Sequence, residues 1–213
     1  ALYAANVMDF AVALDLVARR GRYMQEAAEA VDSGMVSVIG LDEPAARALC
    51  EQAAHGQVLT CANFNCPGQI VLSGEAAACQ RAADLAEKHG AMKAVPLDVA
   101  GAFHSELMVP AADRLAEALS EATFREPTAP VVSNVTGRRH EDVESIKTRL
   151  VEQLTSPVRW QQCVQYLLGE GVDVFFEIGP GKVLSGLMRR IQRRAKIACI
   201  QSPETIEKLA ETA

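Results

Sequence analysis

The sequence predicts an α/β protein in which a ferredoxin-like βαββαβ subdomain is inserted into a parallel-sheet core. Between residues 35 and 99 the apolar periodicities follow the order β-α-β-β-α-β, the split arrangement of a ferredoxin-like unit. After this segment, short apolar runs alternate with helical patterns, as in a parallel sheet that is covered on both faces. We therefore expect residues 1–32 and 100–213 to form the core domain, with its first part missing, and residues 33–99 to form the subdomain.

The first segment predicts two helices, residues 1–5 and 10–28, with Asp9 as the N-cap of the second. The chain opens without Met, within a helical pattern, which predicts a truncated or processed start. Apolar side chains recur here at helical spacing and predict a buried face: Leu2, Val7, Phe10, Ala13, Leu14 and Val17.

The subdomain has clear turn and cap signals. Asp42 precedes one helix as its N-cap, Gly90 follows the other as its C-cap, and Asn65-Cys66-Pro67-Gly68 is a strong turn sequence. The predicted elements are strands at 35–39, 58–63, 69–73 and 94–99 and helices at 43–54 and 75–89. In the rest of the chain we predict helices at 107–120, 143–153, 158–168, 182–194 and 205–213 and strands at 131–134, 172–177 and 197–200.

Composition limits the possible functions. The net charge is −6 and the only dense basic cluster is Arg189-Arg190 with Arg193-Arg194 and Lys196, so a nucleic-acid partner is not expected. No apolar run is long enough to span a bilayer. The six cysteines form no C-x-x-C pair, which disfavours a zinc site or a disulfide framework and predicts reduced cysteines in a cytoplasmic protein.

Three features could carry chemistry. His104 follows a predicted strand and precedes a helix, which places it at the rim of the predicted parallel sheet, where catalytic groups gather. Its imidazole titrates near neutral pH, which suits a general base. Arg20 ends an apolar helical pattern, and its guanidinium could grip a carboxylate through two parallel hydrogen bonds. Gly179-Pro180-Gly181-Lys182 could place amides near an anion, although a structural turn is the better interpretation. A buried structural histidine and a solvated arginine remain open at this point.

The chain resembles the malonyl-CoA:acyl carrier protein transacylase family along nearly its whole length. The stretches that carry the resemblance, in the family's order and spacing, are residues 20–25 (RGRYMQ), 63–71 (NFNCPGQIV), 103–108 (FHSELM), 153–160 (QLTSPVRW) and 177–184 (EIGPGKVL). The resemblance implies a hydrolase-like core and a ping-pong transfer, in which a serine on a strained G-H-S-x-G elbow accepts malonyl from coenzyme A and passes it to the phosphopantetheine thiol of acyl carrier protein. It also implies that this serine lies upstream of residue 1.

The resemblance assigns roles residue by residue. His104 matches the general base, Arg20 the residue that pairs with the free malonate carboxylate, and Gln153 the position whose main-chain carbonyl orients the histidine. Phe103 matches an aromatic residue against the acyl pocket that disfavours methylmalonyl groups. The remaining matches are Asn63 and Asn65 at the border of the cleft, and Arg189 and Arg190 on the basic surface where acyl carrier protein docks.

The family further implies a monomeric, cytoplasmic enzyme of fatty-acid biosynthesis that needs no metal or cofactor, with malonyl-CoA as substrate. It implies neither a nucleic-acid nor a membrane partner. Two alternatives stay open: an acyltransferase domain of a polyketide synthase, and a fragment that lacks its nucleophile and acts only as a binding module. A cysteine hydrolase that uses Cys66 with His104 is disfavoured, because the turn at Cys66 offers no group that would stabilise a thiolate.

Overall fold

The computed structural model describes residues 1–210 and consists of two units, Ala1–Cys163 and Val164–Ala213. It is a mixed α/β structure. The helices are α1 (Phe10–Glu29), α2 (Glu43–Ala54), α3 (Ala76–Leu85), α4 (Val109–Glu121), α5 (Val143–Glu152), α6 (Trp160–Gly169), α7 (Val183–Ile191) and α8 (Pro203–Ala210). The strands are β1 (Ser33–Ile39), β2 (Leu59–Cys66), β3 (Gln69–Glu75), β4 (Lys93–Pro96), β5 (Val174–Ile178) and β6 (Lys196–Ile200).

The strands β1 to β4 form an antiparallel sheet in the order β2-β3-β1-β4, with α2 and α3 on one face. Asp42 caps α2, because its carboxylate accepts a hydrogen bond from the Ala45 amide at 3.0 Å. Gly90, at φ 91°, ends the 3₁₀ turn Ala86–His89 that follows α3. These two predicted caps are confirmed.

The two faces of this sheet have different partners. Ile70 and Leu72 of β3 point to the helices α2 and α3, where they join one apolar core. Val71, between them in sequence, points to the opposite face, where it packs with Ala62 and Phe103. The sheet therefore carries a helical layer on one side and the segment around residue 103 on the other.

A second core lies between α1 and α4. It contains Leu16 and Met24 of α1 and Leu115 of α4, and Leu154 after α5 joins it. The exposed fractions of Phe10, Leu14 and Val17 are 62, 57 and 67%, so the buried face predicted for these three residues is wrong within the part of the chain described. The helix instead buries Leu16, Met24, Ala27 and Ala28.

The second unit contains a parallel pair, β5 and β6, with register Val174↔Lys196 to Ile178↔Ile200. Val174, Phe176 and Ile178 are exposed on one face of β5. Within residues 1–210 the parallel sheet has these two strands, and the larger sheet covered on both faces stays a prediction.

Other predicted elements also differ. Residues 1–5 form turns instead of a helix, and residues 131–134 contribute only an isolated bridge, Val132↔Arg139, instead of a strand. The predicted strand 94–99 is the shorter β4. The last three residues of the predicted helix 205–213 lie outside the described residues. The division at Cys163 differs from the predicted division at residues 33 and 99, which stays a prediction.

No helix within residues 1–210 has the length and apolar character that a membrane crossing requires.

Candidate active site

His104 lies on a loop between β4 and α4, and its backbone is left-handed at φ 60°. This conformation costs an L-residue about 1 kcal/mol and persists where the surrounding structure fixes it. The preceding strand is an edge strand of the antiparallel sheet. The expectation that His104 lies at the rim of a parallel sheet is therefore wrong, and its placement has to be explained by the loop itself.

The imidazole ring has a fixed orientation. Its Nδ1 atom lies 2.8 Å from the main-chain oxygen of Gln153. Because a carbonyl oxygen can only accept a hydrogen bond, Nδ1 is the donor, and the neutral ring keeps a lone pair on Nε2. This is the tautomer that a general base needs.

Burial is the main influence on the pKa of His104 and lowers it below its usual value. The hydrogen bond to Gln153 opposes this change, whereas the positive charge of Arg20 lowers the pKa further. The neutral, proton-accepting form of His104 is therefore present at neutral pH.

Gln153 connects two parts of the site. It follows α5 directly, and its side-chain amide donates to the Ser156 carbonyl at 2.9 Å. The segment that follows is joined to β2, since Val158 donates to Ala62 at 2.8 Å and accepts from Phe64 at the same distance. The carbonyl that orients the imidazole is thus anchored to the edge of the four-stranded sheet.

Arg20 is half-buried on α1, and within residues 1–210 its guanidinium forms no ion pair. Desolvation lowers its pKa, with no compensating carboxylate. The neighbouring Arg19 instead pairs with Asp15 at 2.8 Å and with Glu121 at 3.6 Å. Arg20 lines an apolar cavity of about 260 Å³. An unpaired, partly desolvated guanidinium favours an anionic ligand.

The other predicted site residues of the first unit lie at the four-stranded sheet. Phe103 packs on the face opposite α2 and α3, and Asn63 and Asn65 lie on the edge strand β2. Phe103 is half-buried and packs against Met35, Ala62 and Val71. Asn63 forms a bridge with Val158, next to the Gln153 segment. Asn65 is half-buried further along β2. The roles assigned to these three residues stay predictions.

Arg189 and Arg190 lie in the second unit, exposed in the last turn of α7. At the first turn of this helix, the amides of Leu184 and Ser185 each donate to the Glu177 carboxylate at 2.9 Å. The hydrogen bond that the Ser185 hydroxyl group donates to this carboxylate is the main cause that lowers the pKa of Glu177, and the two amide hydrogen bonds lower it further. Because this carboxylate occupies the helix N-terminus, residues 179–182 form a structural turn.

Residues that hold the His104 loop were missed in the sequence. Ser73 of β3 donates to the Phe103 carbonyl at 2.7 Å, and Ser105 donates to the Ala102 carbonyl at 2.7 Å. Ser33 accepts from the Ala102 amide at 3.2 Å. The sequence carries no signal for the contacts of Ser33 and Ser73, because the partners are far apart in the chain. Ser33 lies 69 residues from Ala102, and Ser73 lies 30 residues from Phe103.

Comparison with known proteins identifies the class. Residues 1–204 match the family model of the acyl transferase domain. A malonyl CoA-acyl carrier protein transacylase of Bacillus subtilis (strain 168) is 43% identical over 213 residues, which are 100% of this chain and 67% of the relative. The structure of the transacylase of the same name from Coxiella burnetii superposes with a TM-score of 0.94 at 38% identity, covering 99% of this chain and 66% of that one.

A third similar structure is a malonyl-transacylase in complex with its type II PKS acyl-carrier protein. It has a TM-score of 0.94 and 40% identity, and the match covers 100% of this chain and 69% of that one. The chain therefore spans about two thirds of the length of the relatives it matches.

The fold, the oriented histidine and the match over residues 1–204 define an acyltransferase domain. Within that class, the chain belongs to the malonyl CoA-acyl carrier protein transacylase family.

Proposed function

We propose that this chain supplies the general base and the carboxylate-binding arginine for malonyl transfer from coenzyme A to acyl carrier protein. The observation that carries the proposal is that the imidazole of His104 is oriented by the Gln153 carbonyl and lies within range of the positive charge of Arg20. A base within electrostatic range of an anion-binding cation suits a substrate with a thioester at one end and a carboxylate at the other.

His104 moves one proton in each half of the reaction. Its Nε2 takes the proton of a serine hydroxyl outside this chain while the serine oxygen attacks the malonyl thioester carbonyl. The tetrahedral intermediate collapses, the carbon–sulfur bond breaks, and the proton passes to the leaving coenzyme A thiolate. In the second half, the phosphopantetheine thiol gives its proton to Nε2 as its sulfur attacks the malonyl-serine ester, and the serine recovers the proton.

Arg20 binds the end of the substrate that does not react. Two parallel hydrogen bonds from the guanidinium to the free carboxylate of malonate hold the acyl group in place. The positive charge of Arg20 also offsets the free-energy cost of burying the negative carboxylate. An acetyl group has no such carboxylate, so Arg20 gives it no binding energy. The arginine therefore sets the preference for a dicarboxylic acyl group.

The remaining residues have supporting roles in this proposal. Phe103 limits the space beside the acyl carbon, which disfavours an added methyl group by about 1–3 kcal/mol. Asn63 and Asn65 border the cleft along β2. Neither a metal nor a cofactor enters the reaction, because a proton relay and an anion-binding cation suffice for acyl transfer.

Arg189 and Arg190 form the docking surface for an acidic carrier protein. Complementary charge raises the encounter rate, and the effect weakens as salt screens it. Reversing both charges, with Arg189→Glu and Arg190→Glu together, should slow association with acyl carrier protein at low salt and lose that effect at 1 M salt. Equal association rates at low salt would exclude this surface.

The proposed setting is a monomeric, cytoplasmic enzyme of fatty-acid biosynthesis, without a nucleic-acid or membrane partner.

The finer fold assignment is a hydrolase-like core with a ferredoxin-like insertion at residues 33–99. It is supported by the order β2-β3-β1-β4 with two helices on one face, the arrangement of a βαββαβ unit. A carrier protein of a polyketide pathway is the second candidate, since one solved relative of comparable identity is bound to such a carrier.

Substituting Arg20 tests the proposed function. In the full-length gene product, Arg20→Ala should lower malonyl transfer on the order of 100-fold, because a charge-assisted pair of ~3 kcal/mol is lost, and leave acetyl transfer at its original rate or above. Arg19→Ala is the matched control, since Arg19 already pairs with Asp15. Equal losses of malonyl and acetyl transfer would show that Arg20 is structural.

A mass measurement separates an enzyme from a binding module. The full-length gene product should gain the mass of one malonyl group when treated with malonyl-CoA, and transfer it to fatty-acid acyl carrier protein. Faster transfer to a polyketide carrier protein would favour the second candidate. Binding of malonyl-CoA without any covalent adduct would leave only the binding module.

A further inference from the structure

We infer that Ser73 is a positioning residue for His104 and acts through the main-chain carbonyl of Phe103. The inference rests on the proposed function, in which His104 is the base, but it concerns how the fold holds that residue. Its starting observation is that His104 has a left-handed backbone, φ 60°, in a loop without regular hydrogen-bonded structure. Such a conformation requires external contacts to fix it.

Buried serine hydroxyls provide these contacts on the residues that precede His104. Ser73 donates to the carbonyl of Phe103 at 2.7 Å, and Ser105 donates to the carbonyl of Ala102 at 2.7 Å. Both serines are fully buried. The carbonyls of the two peptide groups immediately before His104 thus accept hydrogen bonds from side chains and not from a helix or a strand.

Ser73 differs from Ser105 because it belongs to a rigid element. It lies in the middle of β3, paired with Met35 of β1 and Thr60 of β2. Its neighbour on the same face, Val71, packs with Phe103. The hydroxyl of Ser73 therefore ties the histidine loop to the centre of the four-stranded sheet, whereas Ser105 ties the loop only to itself.

The close approach of the loop to α1 limits its freedom further. A Cβ atom added at Gly101 would lie 2.5 Å from the Ala28 Cβ atom and 3.2 Å from the Ser33 hydroxyl oxygen. The loop is thus held on one side by α1 and on the other by Ser73. The hydrogen bond from Ser73 is the contact nearest in sequence to His104 that comes from the sheet.

Although Ser73 does not contact the substrate in this proposal, we expect the loss of its hydroxyl group to affect the orientation of His104. Without the Ser73 hydroxyl, the Phe103 carbonyl loses its partner, and the backbone of His104 can leave the left-handed region. The ring then spends less time with Nδ1 on Gln153, and Nε2 loses its fixed direction. The loss should appear in the rate of acyl transfer and not in the affinity for malonyl-CoA.

The spectroscopic test uses the 213-residue chain itself. We would record the imidazole ¹⁵N shifts of its four histidines in the wild type, Ser73→Ala, Ser73→Thr and Ser37→Ala. Ser37 is the matched control, because it is buried in the same sheet and its hydroxyl makes no hydrogen bond to the histidine loop. Ser73→Ala should move the His104 signals towards a mixture of tautomers, whereas Ser73→Thr and Ser37→Ala should leave them at the wild-type positions.

The kinetic test uses the full-length gene product. Ser73→Ala should lower kcat about fivefold, the size expected for losing one buried hydrogen bond, with KM for malonyl-CoA unchanged, and Ser73→Thr should restore the rate. Ser73→Cys, which keeps the volume and a weak donor, replaces Ser73→Ala if that variant does not fold. Wild-type His104 signals in the alanine variant, or the same change in Ser37→Ala, would overturn the inference.

The outcome is independent of the substrate assignment. If Arg20→Ala fails to separate malonyl from acetyl transfer while Ser73→Ala still alters the His104 signals, the proposed function fails and the positioning role stands. If Arg20→Ala does separate malonyl from acetyl transfer but Ser73→Ala leaves the His104 signals unchanged, the transferase assignment stands and Ser73 has no positioning role.

Discussion

The Nδ1 atom of His104 lies 2.8 Å from the main-chain oxygen of Gln153, although the two residues are 49 positions apart in the chain. A main-chain carbonyl here does what a carboxylate does in a Ser-His-Asp triad, namely to fix the ring orientation and the tautomer. A carbonyl carries no full charge, so it raises the pKa of the histidine less than a carboxylate would. The ring therefore stays neutral at physiological pH.

This arrangement predicts different effects at its two residues. In the full-length gene product, His104→Ala should reduce serine acylation by malonyl-CoA on the order of 1,000-fold, because the proposed base is lost. Gln153→Ala should cost much less, about fivefold, since the orienting carbonyl remains and only the side-chain bonds to Ser156 and Pro157 are removed. Rapid-quench measurement of the acyl-enzyme checks both. Near-normal acylation in His104→Ala would exclude it as the base.

The left-handed backbone of His104 makes a prediction about stability. His104→Gly and His104→Ala lose the same ring contacts, but glycine accepts φ 60° without steric cost and alanine does not. The glycine variant should therefore be about 0.5–1 kcal/mol more stable than the alanine variant in urea unfolding of this chain. The opposite order would mean that residue 104 leaves the left-handed region when its ring is removed.

The lowered pKa of His104 predicts a pH dependence with a definite sign. Because the folded-state pKa lies below the unfolded value of about 6.5, the unfolded chain binds the proton more readily. The contribution of His104 to stability is therefore complete above pH 6.5 and is lost as the pH falls through the folded pKa. The ring should keep its basic form to a lower pH than an unperturbed histidine does.

Arg20 provides the check on this prediction. Its positive charge lowers the pKa of His104, so Arg20→Ala should move that pKa upwards towards its usual value. An NMR titration of the histidine ring signals measures the change, with Arg19→Ala as the control. A downward shift, or the same shift in both variants, would show that the charge of Arg20 does not act on the ring.

Gly101 predicts a steric effect on the loop. Gly101→Ala would place a Cβ atom 2.5 Å from the Ala28 Cβ atom, so α1 and the loop must separate, at a cost of about 1–3 kcal/mol. Gly21→Ala is the matched control on α1, since nothing lies within 4 Å of its added Cβ, and it should stabilise the helix by about 0.5–1 kcal/mol. Thermal unfolding of both variants measures the contrast. Equal stability would mean that the loop moves freely away from α1.

Local patterns predicted most of the elements. The alternation of apolar residues, the N-cap Asp42 and the C-cap Gly90 give the order of the antiparallel unit, because each of these signals acts within a few residues. Residues 131–134 do not form the predicted strand, because a strand needs a neighbouring strand with which to pair. In the structure these residues form only the isolated bridge between Val132 and Arg139. The prediction of a helix at α1 was correct, but the prediction that Phe10, Leu14 and Val17 are buried was wrong, because burial depends on what packs against the helix.

The sequence by itself determined the family, through motifs at 20–25, 63–71, 103–108, 153–160 and 177–184, and it singled out His104 and Arg20 by residue type and position. Only the tertiary structure decided that His104 has a left-handed backbone, that Gln153 offers it a carbonyl, and that Ser73 holds the preceding peptide. The physical reason is the range of the interactions. Periodicity and caps are fixed by neighbours in the chain, whereas hydrogen bonds across 30 or 49 residues depend on how the sheet, α1 and α5 pack around the loop.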